Sequence, residues 1–90
     1  MIEFRAEQEN YTVTAITALI KRSLESNYSR VRVEGEVSNG RPSSSGHFYF
    51  TLKDENAALS AVLFRSRLSR IDFPLEDGQL VVASGSISVY

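Results

Sequence analysis

The 90-residue chain has no cysteine. Disulfides, thiolate metal sites and cysteine nucleophiles are therefore excluded, and a reducing compartment, the cytoplasm, is the default expectation. No apolar run approaches the roughly 18 residues that a membrane span requires. The opening stretch, MIEFRAEQENYTV, has no apolar centre of signal-peptide length. A membrane partner is not expected. Histidine is nearly absent too: one residue, His47, gives poor support for a metal site or for acid–base chemistry, so no metal, cofactor or catalytic residue is assigned. Basic residues are missing from the last part of the chain. Ile71 to Tyr90 holds three acids and no base, whereas Arg41 to Arg70 holds five basic residues against Asp54 and Glu55. The net charge of −1 hides this asymmetry, and an anionic partner would be drawn to the middle of the chain.

What is present reads as one small domain of alternating strands behind a helix. Ile16, Leu19, Ile20 and Leu24 form a single apolar stripe, which predicts an amphipathic helix over Thr14–Ser26 that plugs a sheet. Thr12 or Thr14 supplies its N-cap oxygen. Val31, Val33, Gly35 and Val37 alternate with polar residues as in a half-buried strand, and Gly35 suggests a bulge or bend. NGRPSSSG (39–46) reads as a loop carrying Arg41.

Residues 46–64, GHFYFTLKDENAALSAVLF, read as two strands turning at Asp54-Glu55-Asn56. Side chains two apart share a face. Phe48, Phe50 and Leu52 make one row of the first strand, and His47, Tyr49, Thr51 and Lys53 make the other. In the second strand Leu59, Ala61 and Leu63 alternate with Ser60, Val62 and Phe64. Arg65 to Arg70 is a short basic helix or loop, DFPLEDGQ (72–79) a connection, and Leu80 to Tyr90 the last strand.

Short antiparallel strands in this order suggest a mainly β fold. The specific expectation is an OB-fold, a five-stranded Greek-key barrel, with an N-terminal α-helix. Only four strands can be counted, so the fifth is read as truncated and the chain as a fragment. Residues 1–10 form an N-terminal arm and 11–90 the OB-fold domain.

Several phrases occur together in this order: Tyr11-Thr-Val-Thr, Leu19-Ile-Lys-Arg, Val33-Glu-Gly-Glu-Val-Ser-Asn39, Ser45-Gly-His-Phe-Tyr-Phe-Thr-Leu-Lys-Asp54, Val62-Leu-Phe-Arg-Ser-Arg67, Asp77-Gly-Gln79 and Gly85-Ser-Ile-Ser-Val-Tyr90. Over residues 11–90 the chain closely resembles the N-terminal domain of exodeoxyribonuclease VII large subunits. The resemblance implies a domain that binds single-stranded DNA for a catalytic domain beyond it, in an enzyme that degrades single strands from either end to short oligonucleotides. It also implies a small-subunit partner, bound through regions outside this chain. No position here matches the family's catalytic residues. One departure stands out: an aromatic residue often follows the family's Ser-Asn pair, and here Gly40 follows Ser38-Asn39.

Binding of single strands without sequence preference combines a basic groove with aromatic platforms. Tyr49 is the first candidate platform, sharing its row with His47 and Lys53. Phe64 either extends this face or lies as core under the basic segment. Arg41, Lys53, Arg65, Arg67 and Arg70 are candidate phosphate contacts, and His47 a candidate hydrogen-bond donor. An RNA-binding (anticodon-type) OB domain and a protein-interaction module remain alternatives. Edge strands left open by a missing fifth strand lead to an expectation of strand-paired or swapped oligomers.

Overall fold

A computed structural model describes residue 2 and residues 10–89. Most of the expected N-terminal arm, and Tyr90, lie outside the described residues. The described residues fall into two compact units, one drawn from Met1–Val31 with Gly85–Tyr90, the other Arg32–Ser84.

In the first unit, helix α1 spans Val13–Asn27. Thr12 is extended, and its hydroxyl accepts the Ala15 N–H at 3.0 Å, satisfying one of the donors a helix start leaves unpaired. At the other end the Tyr28 N–H still reaches the Leu24 carbonyl, at 2.7 Å. The apolar stripe is where the spacing put it, but no residue of α1 is buried: Ile16, Leu19 and Ile20 are all exposed. The chain after Gly85 departs from expectation. The Ile87 N–H donates to the Tyr28 carbonyl at 2.9 Å and the Ser88 hydroxyl to Glu25 Oε2 at 3.2 Å. Hydrogen bonds to the helix and its end replace strand pairing here, so the last strand stops at Gly85 and does not run on towards Tyr90.

The second unit is built on strands β1 (Val31–Pro42), β2 (Phe48–Lys53), β3 (Ala58–Leu63) and β4 (Leu80–Gly85), with the one-turn helix α2 (Arg65–Leu68) between β3 and β4. The four antiparallel strands form an open sheet in the order β3-β2-β1-β4. Four strands, not five, are present among the described residues. The β2–β3 hairpin is regular from Phe48↔Leu63 to Lys53↔Ala58. Its turn is closed by Asp54, whose Oδ1 accepts the N–H groups of Asn56 (2.8 Å) and Ala57 (3.0 Å), the local bond that suits Asp to turns.

Strand β1 is longer than its pattern suggested. The segment expected to be a loop from Asn39 continues in the ladder to Pro42, because one extra residue is absorbed as a bulge. Ser38 pairs with Thr51 and Arg41 with Tyr49, so three steps on β1 match two on β2. Asn39 takes up the irregularity with φ 53°, a left-handed conformation that Asn tolerates better than most residues. The β1–β2 bulge lies at Ser38–Arg41, and Gly35 is buried within the strand.

Val37, Phe50 and Leu52 are the buried core, with Val33, Phe48, Leu63, Leu75 and Val81 packed against them. All three lie on one side of the sheet, as the period-two pattern requires. Val37 is also held at its backbone: its N–H donates to the Gln79 carbonyl at 2.9 Å, and its carbonyl accepts the Gly78 N–H at 2.8 Å. No helix among the described residues is long and apolar enough to cross a membrane.

So small a core leaves little redundancy. Val37→Ala is expected to cost about 2 kcal/mol in urea unfolding, whereas Leu80→Ala, at an exposed position of the same sheet, stays within about 0.5 kcal/mol. Equal losses at the two sites would show that the core is elsewhere.

Candidate nucleic-acid interface

The outer face of the sheet is assembled from cross-strand rows. In register, Arg41 of β1, Tyr49 of β2 and Val62 of β3 stand side by side; next come Ser38, Thr51 and Ser60, then Glu36, Lys53 and Ala58. Directly opposed side chains on antiparallel strands are near enough to interact.

The bulge decides the first row. Glu36 and Ser38 face outward, so unbroken alternation would turn Arg41 inward with Val37. A one-residue shift reverses every later side chain, and the extra residue at Asn39–Gly40 brings Arg41 out beside Tyr49 and sends Pro42 to the side of Phe48. The amide that the bulge removes from the ladder is not left unpaired: the Gly40 N–H donates to Asp77 Oδ1 at 2.9 Å. A Cβ added at residue 40 would lie 2.6 Å from the tip of the Phe48 ring, so a larger residue there would require that ring to shift.

Arg41 and Tyr49 form a pair. The guanidinium carbon lies 5.9 Å from the centroid of the Tyr49 ring, within the range of a cation–π contact, and the ring is 38% exposed. The cation lies over the ring, so an aromatic surface and a positive charge, the two groups that a base and its phosphate call for, stand together on this face.

His47 and Phe64 continue the same face past the strand ends. The Ser43 N–H donates to the His47 carbonyl at 2.8 Å and the Ser43 hydroxyl accepts the His47 N–H at 3.1 Å, extending the β1–β2 pairing by one step. Phe64 is not part of β3. It sits at the N-cap of α2, 48% exposed, with its ring meeting His47 edge-on at 5.3 Å. It is not core. Arg65 and Arg67 lie in α2, and Arg70 follows it, its N–H bonded to the Arg67 carbonyl at 3.0 Å.

Lys53 stands apart. Its ammonium is 3.8 Å from the Glu36 carboxylate, and both line an open hollow with Glu34, Asp54 and Glu55. Four carboxylates around one lysine repel an anion. The sheet face is consequently polarised, with Arg41 and the α2 arginines at the Tyr49 end and the carboxylates at the Lys53 end. Glu36 and Asp77 were not singled out from sequence. The Asn39-Gly40 dipeptide, a strong signal for left-handed backbone, was the one cue to the bulge. Among the described residues no group of three His, Asp or Glu side chains is placed to hold a metal ion.

Comparison with known proteins agrees with this geometry. The family described as OB-fold nucleic acid binding domain matches residues 11–90. The exodeoxyribonuclease 7 large subunit of Nitratiruptor sp. is 48% identical over 80 residues, covering 89% of this chain and 19% of that protein. The protein of the same name from Mesorhizobium japonicum is 44% identical over 89 residues, covering 98% of this chain and 17% of its own. That from Brucella canis is 46% identical over 81 residues, with 89% and 16% covered. The chain spans less than a fifth of the length of these relatives. An open antiparallel sheet with an aromatic and basic outer face, preceded by a helix and matched from residue 11 to residue 90, identifies the chain as a member of the OB-fold nucleic acid binding domain family.

Proposed function

We propose that this chain is the single-stranded DNA-binding domain of an exodeoxyribonuclease VII large subunit. It captures the strand for a catalytic domain elsewhere in the enzyme, which hydrolyses single-stranded DNA from both ends to short oligonucleotides. The observation that carries this reading is the exposed Tyr49 side chain paired with the Arg41 guanidinium on the outer face of the sheet. Tyr49 stacks a base, and Phe64 offers a second platform. Arg41, Arg65, Arg67 and Arg70 take phosphates, and His47 packs edge-on against the Phe64 ring. Lys53 contributes less than these, because Glu36 neutralises it. Hydrolysis belongs to residues beyond this domain, so the chain alone has no nuclease activity. The small subunit binds through other regions, and the enzyme works in the cytoplasm.

Binding of fluorescent oligo-dT to the chain, measured over a series of salt concentrations, tests this. Tyr49→Ala is expected to weaken binding by about 1–3 kcal/mol, the usual worth of a stacked base. Arg41→Gln is expected to lower the salt slope by about 0.7, one phosphate contact, while Lys53→Ala changes it little. Clear preference for a structured RNA would favour an anticodon-type reading, and unchanged affinity in Tyr49→Ala a protein-docking face.

The sheet also has two open edges. Neither ALSAVL of β3 nor LVVASG of β4 carries a charge or a proline, the devices that normally block edge-to-edge pairing. The isolated chain is therefore expected to self-associate through these strands as its concentration rises. Light scattering that reports a monomer at the highest attainable concentration would count against it.

A further inference from the structure

Three contacts converge on the junction of Phe64 and Arg65. The Arg65 N–H donates to His47 Nδ1 at 2.9 Å. The His47 ring meets the Phe64 ring at 87°. Gly46 has φ 88°, and an added Cβ there would stand 2.8 Å from Arg65 Cδ and 3.4 Å from Cγ, so the alkyl stem of Arg65 fills the space a side chain at residue 46 would take.

The first contact replaces a missing cap. Arg65 opens α2, where the N–H groups have no partner within the helix, and Phe64 at the N-cap makes no side-chain hydrogen bond. An imidazole 18 residues upstream supplies the acceptor instead. For Nδ1 to accept, it must be unprotonated, which places the ring proton on Nε2 of the neutral form. The two nitrogens are therefore distinct: Nδ1 is engaged by the Arg65 amide, and Nε2 carries the ring proton.

We propose that His47 is a positioning residue, acting through Nδ1 with Gly46 to hold Arg65 ready as a phosphate contact. The inference rests on the nucleic-acid-binding reading above. A long cation normally loses rotamer freedom when it grips a phosphate; anchoring its backbone and stem beforehand reduces that loss. The clamp holds the start of α2 and the Arg65 stem against the residues that lead into β2, the strand that carries Tyr49.

Asn and Gln substitutions separate the two nitrogens, since an Asn side chain places its oxygen near the Nδ1 position and a Gln side chain reaches the Nε2 position. In oligo-dT titrations over a salt series, H47N is expected to stay within about twofold of the wild type with an unchanged slope. H47Q is expected to bind about fivefold more weakly, the effect of about one lost hydrogen bond, with the slope reduced by about 0.7. Adding Arg65→Gln to H47Q should then cost little more, as coupled residues are non-additive. The opposite order of the two His47 variants, or an additive loss in the double variant, overturns the proposal.

A measurement on the wild type guards against variants that do not fold. Nitrogen-15 NMR of the imidazole should place the proton on Nε2, and the Arg65 amide should be slow to exchange. A proton on Nδ1, or an unprotected amide, overturns the clamp. A wild type that binds no oligonucleotide overturns the binding reading and the phosphate role of Arg65 together, while these NMR signals still report whether the clamp exists.

Discussion

One irregularity in one strand orders the outer face of the sheet. The extra residue between Ser38 and Arg41 reverses the phase of β1, and without it Arg41 would point into the apolar side. Its cost is a left-handed residue and an amide withdrawn from the ladder. Asn39 accepts the first at φ 53°, and Asp77 pairs the second. The turn that carries Asp77 is tied to the same strand through Val37, the most completely buried residue of the core. The Asp77-Gly-Gln79 phrase thus acts as a brace: it joins the bulge to the core and fixes which way Arg41 faces.

The electrostatics of the face follow from that geometry. Bulk charge predicts little, because the chain is nearly neutral. What matters is separation along the strands. Arg41 and the arginines from α2 onward lie towards the end where β2 begins, and Glu34, Glu36, Asp54 and Glu55 surround the end where it finishes. A polyanion is attracted to one end and repelled from the other. Within the basic end, the aromatic rings each have a polar neighbour: Arg41 lies over Tyr49, and His47 meets Phe64. Stacking and phosphate contacts are therefore available side by side, which is the combination that non-specific single-strand binding uses.

The hairpin was largely legible in the amino-acid order. Alternation over Phe48–Lys53 and Ala58–Leu63 reflects a sheet with one buried side, and Asp54 closes the turn through a bond to its own near neighbours. These are local properties, so a linear reading reaches them. The capping of α1 by Thr12 was local in the same sense. Partners distant in sequence were out of reach. Lys53 looked like a free cation until the register set Glu36 opposite it. Phe64 looked like the end of a strand until α2 began there. The last strand read as running to Tyr90 until Ile87 found its partner at Tyr28.

By itself, then, the order of residues determined the helix α1, the regular strands of the hairpin, the row of apolar side chains that becomes core, and the family resemblance. Those depend on spacing along the chain and on bonds spanning three or four residues. The direction of Arg41, the neutralisation of Lys53, the exposure of Phe64 and the seating of Arg65 were decided only by the tertiary structure. Each rests on a contact between residues far apart in sequence, where a one-residue change of register turns an outward side chain into an inward one.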